Sequence, residues 1–288
     1  MIEIGVILAF VAMIGWGFGD FFIQKSTRKV GDWETLFIIT FFGAIVLLPF
    51  VYQDIPLLFT NSKIFILLLG SFVLFVASLL DLEALKRGKL SIVEPIWSME
   101  IPAAALLAFF ILGESISFRQ IILISLLIIG LILVALKSEH FNKRAWLERG
   151  ALIAFIAALF MGGASFLIGL GSRASNALMM TWFLNAFMAI ISFGFIFIDS
   201  DFKKMIKHYK KEKITWWGMC IFDNMAWIAF AFSMVLSQIA ISVAISESYI
   251  ILTVLIGVYI NKERLDHHQK IGMVLALICA VILATTVL

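Results

Sequence analysis

The 288-residue chain is 62% hydrophobic and only 14% charged, with a net charge of +3. A soluble domain is roughly 45–50% apolar, so this composition, with a mean hydropathy of +1.07, excludes a soluble enzyme and a nucleic-acid-binding domain. It predicts an all-α membrane protein.

Apolar runs of about 17–25 residues cross a bilayer core, and ten can be drawn in chain order. Span 1 (2–24) starts beside Glu3 without a basic leader and runs on into further spans, so it reads as a span and not as a signal peptide. Spans 2 (34–53) and 3 (64–85) follow. Span 4 (90–112) holds Pro95 and Pro102, and Pro102 removes a helix bond and predicts a free carbonyl at Ser98. Span 5 is 119–136, span 6 is 149–171 and span 7 is 177–198. The connection Asp199–Lys213 places Phe202, Met205, Ile206 and Tyr209 on one helical arc and lysines on the rest. That pattern suits either a helix lying in the headgroup plane or a solvated loop that fixes topology. Span 8 (214–236) opens on Trp216 and Trp217, which with Trp33 and Trp146 mark an interfacial belt. Spans 9 (240–260) and 10 (268–287) complete the set, span 9 without a proline. Cys220 and Cys279 both fall within spans and are expected to be free thiols.

Nineteen of the 22 Lys and Arg residues lie in the connections after odd-numbered spans. Lys63, Arg119 and Arg173 are the other three. Basic residues in short loops stay cytoplasmic, so the expectation is a cell-membrane protein with both termini extracellular.

The chain repeats itself. Gly113-Glu114 with Gln120 returns as Lys262-Glu263 with Gln269, and Gly5-x-x-x-Ala9-Phe10 returns as Gly150-x-x-x-Ala154-Phe155. The expected architecture is two five-helix repeats, 1–138 and 149–288. Five is odd, so the second repeat is inverted relative to the first, an arrangement that places a site between the halves.

Six acids fall inside the spans: Asp20, Asp81, Glu94, Glu100, Asp223 and Glu247. A charge at the bilayer centre costs about 3 kcal/mol, so such groups face a cavity or a partner. With no cation at similar depth, they hold a proton, bind a cationic ligand or exchange protons. Trp16 with Asp20, Trp97 with Glu94, and Trp227 with Asp223 share helix faces, and an indole beside a carboxylate suits an ammonium group. The competing reading is that these tryptophans only pack the bundle. Glu100 and Asp223 lie deepest. Asp81 is the weakest candidate, within reach of Lys86 or Arg87. Ser246 and Glu247 sit among further hydroxyls that serve equally as glue between helices. The candidate substrate-binding set is therefore Trp16, Asp20, Glu94, Trp97, Glu100, Asp223, Trp227, Ser246 and Glu247.

Trp16-Gly17 followed by Lys25, Ala84-Leu85-Lys86, Pro102 and Gly113-Glu114 in the first half resemble the EamA family of the drug/metabolite transporter superfamily. Gly162, Glu263 and Gln269 in the second half are similar too, whereas Ile251 and Lys262 depart from the pattern. The resemblance implies spans 1–4 and 6–9 around a central cavity, with spans 5 and 10 peripheral. The expected function is a secondary transporter of a small polar metabolite, amine or amino-acid-like, working by alternating access as the two halves rock, with protons as the candidate coupling ion. A sugar or neutral solute, with the acids used only for protons, is the alternative, as is a non-transporting membrane scaffold. All four histidines lie in connections and no nucleotide or metal motif appears, so neither an enzyme nor a cofactor is expected. The expected partners are the lipid bilayer, a small molecule and, compatibly, a second copy in a homodimer.

Overall fold

The computed structural model describes residues 3–60, 63–87, 96–136, 149–199, 209, 211–261 and 265–286. Its helices are α1 (Ile4–Val30), α2 (Asp32–Val51), α3 (Ile55–Thr60), α4 (Lys63–Arg87), α5 (Glu100–Leu112), α6 (Phe118–Ala135), α7 (Arg149–Ala174), α8 (Ala177–Asp199), α9 (Lys213–Leu236), α10 (Ile239–Ser246), α11 (Tyr249–Asn261) and α12 (His267–Ala284). Among the described residues, nine helical stretches are long and apolar enough to cross a membrane, one of them running through α10 into α11. The shorter α5 supplies the second part of span 4. The protein is an all-α membrane protein of ten transmembrane helices in two inverted five-helix repeats.

Helix pairing carries the two-fold relation. Span 1 packs along span 8 and span 3 along span 6, while span 2 pairs with span 7 and span 5 with span 10. Exchanging each span for its repeat mate turns the first pair into the second and leaves the last two unchanged. The repeated glutamines sit on this axis. Gln120 closes a capping box with Ser117, and Gln269 closes one with Asp266. Each then reaches across, Gln120 donating to the Thr286 carbonyl and Gln269 to the Val134 carbonyl. One residue type thus satisfies a helix start and a neighbouring helix end, where backbone groups lack intrahelical partners.

Spans 4 and 9 are both interrupted. In span 4 the Met99 amide donates to the Ile96 carbonyl and the Ile101 amide to Ser98; in span 9 Ser248 donates to Ile245 and Ile251 to Ser248. These tight turns fall at repeat-equivalent positions. Pro102 therefore does not leave the Ser98 carbonyl free, and the lack of a proline does not leave span 9 straight.

The walls around the centre are not the two sequence halves. Spans 1, 8 and 9 pack as one lobe and spans 3, 4 and 6 as another, so each lobe draws on both repeats. On the face away from the basic connections, Arg173 bridges the lobes. Its guanidinium lies 2.7 Å from Glu114 and donates to the carbonyls of Met234 and Ser237. Glu114 also accepts from the Ile239 amide at 2.9 Å, and the Gln238 side chain donates to the Ser115 carbonyl. At the basic face, the ion pairs among the described residues stay within one lobe. Lys29 and Lys25 hold the Glu212 carboxyl well below the usual carboxylate range, at about 2, by hydrogen bonding and charge, and Arg87 pairs with Glu83.

Most of the connection after span 7, along with Trp146, lies outside the described residues. Tyr209, on the apolar arc of that connection, approaches Ser26 and rests against Trp216. Trp33 stacks on Phe195 at 4.2 Å. Cys220 and Cys279 are buried free thiols.

Candidate functional site

Gly162 shows how the chain builds the site. A Cβ there would meet the Glu100 carbonyl at 2.7 Å and the Ala104 amide at 3.0 Å, so only glycine lets span 6 approach the interrupted span 4 this closely. One turn along, the Ser165 hydroxyl donates to the Glu100 carboxyl at 2.6 Å, and both residues are buried. Gly17 plays the same part in span 1, and the residue crowding it is Leu252 of span 9.

Between the lobes lies a cavity of about 320 Å³. Spans 1, 8 and 9 line it with Trp16, Asp20, Asp223, Trp227, Glu247 and Tyr249; spans 3, 4 and 6 contribute Asp81, Trp97, Glu100, Met161 and Ser165. Trp16 meets Trp227 edge to face at 5.1 Å and Tyr249 at 6.0 Å. The Trp227 indole N–H is a hydrogen-bond partner of Asp223 on the preceding turn. Glu247 lies near enough to Glu100 and Asp20 for their charges to interact. Its side chain is only 6% exposed and makes no hydrogen bond or ion pair among the described residues. Among the described residues, no Lys, Arg or His lines the cavity. No cluster of three metal-ligating side chains occurs among the described residues.

Seven of the nine sequence candidates therefore share one cavity: Trp16, Asp20, Trp97, Glu100, Asp223, Trp227 and Glu247. Glu94 lies outside the described residues. Ser246 does not line the cavity. Its hydroxyl turns back to the Val243 carbonyl, while Ser242 joins Ser233 and Ser237 as glue between helix ends. Asp81, the weakest candidate by sequence, faces the cavity, while Arg87 is taken by Glu83.

Met161, Ser165 and Tyr249 were not in the candidate set. The repeat held the signal for all three. Adding the 145-residue offset of the Gly5–Gly150 echo to Trp16 and Asp20 gives Met161 and Ser165, and adding the 149-residue offset of the Glu114–Glu263 echo to Glu100 gives Tyr249. A second hollow of about 420 Å³ lies around the Arg173 bridge, lined in part by Glu3, Gln238 and Thr286.

An uncharacterised protein of Methanocaldococcus jannaschii is 30% identical over 137 residues, which are 47% of this chain and 99% of that protein. A solved crystal structure at 14% identity superposes with a TM-score of 0.78, covering 98% of this chain and 97% of the other, a likeness in fold alone. The profile of the EamA-like transporter family matches residues 3–136 and again residues 148–285. With nearly the whole length matched, once per repeat, the chain belongs to the EamA-like transporter family, within the drug/metabolite transporter superfamily.

Proposed function

We propose that the chain is a secondary transporter working by alternating access, that the central cavity is its binding site, and that the substrate is a small organic metabolite with a cationic group, amine or amino-acid-like. The observation that carries this reading is the Glu247 carboxyl, buried, directed into the cavity and without a partner among the described residues. A buried carboxylate needs compensating positive charge, and here that charge is a substrate ammonium or a proton. The faces of Trp16, Trp97 and Trp227 add cation–π attraction. Protons exchanging at the same acids would couple substrate movement to a gradient.

The unequal faces support alternating access. One is bridged by Arg173, while the ion pairs on the other stay within single lobes among the described residues, as suits one of two exchanging states. Because each lobe mixes both repeats, the rocking units are spans 1, 8, 9 and spans 3, 4, 6, and not the sequence halves. The basic face is cytoplasmic and both termini are extracellular, in the cell membrane.

The test is counterflow in proteoliposomes with labelled amines, amino acids and sugars. Amine counterflow is expected, with Glu247→Gln losing about tenfold or more, the worth of one charge-assisted contact. Sugar counterflow unaffected by Glu247→Gln, with no response to amines, would overturn the reading.

A further inference from the structure

Resting on that reading, we infer that the substrate carries two or more positive charges and no carboxylate: a linear aliphatic diamine or polyamine. Carboxyls stand on both walls of the cavity, Asp223 and Glu247 on one lobe, Asp81 and Glu100 on the other. A single ammonium group satisfies one wall and leaves the other acidic. Two ammonium groups joined by methylenes satisfy both.

The rest of the lining fits the same ligand. Trp16, Trp97, Trp227 and Met161 offer apolar surface between the acids, suited to packing a methylene chain. Among the described residues no basic side chain lines the cavity, so there the carboxylate of an amino acid would meet only like charge. Arg173 lines the other hollow and is committed to Glu114 and two carbonyls on the bridged face. Glu247 supplies the independent sign of a ligand, being more than nine-tenths buried, turned into the cavity and unpartnered among the described residues. At about 320 Å³, the space is at the small end of ligand pockets, as a short flexible chain requires.

The test compares putrescine, butylamine and γ-aminobutyrate, which share a carbon chain and carry two ammonium groups, one, and one with a carboxylate. Binding to the purified full-length protein is measured calorimetrically, alongside counterflow. Putrescine should bind about tenfold or more tighter than butylamine, the worth of a second charge-assisted contact, and γ-aminobutyrate should not bind. Asp81→Asn and Asp223→Asn, one on each wall, should each bring the putrescine-to-butylamine ratio close to one. That ratio is read within one preparation, so it does not depend on the folded fraction. Butylamine binding as tightly as putrescine would overturn this inference and leave the cationic transporter standing. Binding of γ-aminobutyrate would do the same, as would a putrescine preference unchanged in both variants. No binding by any of the three, with counterflow of a sugar, would overturn the underlying reading as well.

Discussion

Asp20 and Ser165 occupy equivalent places in the two repeats, as do Glu100 and Tyr249, so an acid in one half is matched by a hydroxyl or phenol in the other. This exchange of type at matched positions separates two roles that a symmetric site could not. If Glu100 and Asp223 bind the cation, Glu100→Gln and Asp223→Asn should weaken substrate binding with no gradient present. If they carry the coupling proton, both variants should keep counterflow and lose pH-driven accumulation. Wild-type rates in both assays would make these acids structural. Gly43 tests packing near the same site. A Cβ there would run into the Asn224 carboxamide oxygen and meet the Asn185 amide nitrogen at 2.6 Å, two side chains already hydrogen-bonded to each other. Both are buried between spans 2, 7 and 8, with little room to yield. Gly43→Ala should destabilise by about 1–3 kcal/mol, read as a lower thermal midpoint in detergent.

At the scale of elements, the interruption of span 9 at Glu247-Ser248, opposite that of span 4 at Ser98-Met99, shows that the break does not need its proline. Pro102→Ala should therefore keep the turn and cost under about 1 kcal/mol of stability, with binding retained; loss of binding in a stable variant would assign the proline the break. Arg173 is a different matter. It is the hub joining the end of span 6 to the turns before spans 5 and 9. Removing one partner of such a pair costs about 3 kcal/mol, enough to shift a balance between two states. Arg173→Ala should open that face, so that a cysteine at Ser237, in a background lacking Cys220 and Cys279, reacts about tenfold or more faster with an impermeant thiol reagent. An unchanged rate would leave the bridge as simple stapling.

For the whole molecule, the strong placement of basic residues after odd-numbered spans sets an orientation that labelling can check. Single cysteines at Glu3 and at Lys213 should react from outside and inside the cell respectively; the reverse would overturn that orientation. The sequence by itself determined the class, the ten spans, the repeat and most of the cavity acids, because bilayer length, hydropathy and the cost of a buried charge act on local stretches of chain. It also carried the motif glutamines, whose cross-repeat bonds follow from capping chemistry at equivalent helix starts. What only the tertiary structure decided is which helices share a lobe, since every span is predominantly apolar and its hydropathy cannot select a neighbour. Close packing at Gly17, against the Leu252 side chain, and at Gly162, against the span 4 backbone, contributes to that choice. The same contacts bring Asp81 to face the cavity and turn Ser246 away from it, because which way a side chain points in a bundle depends on the helices packed around it.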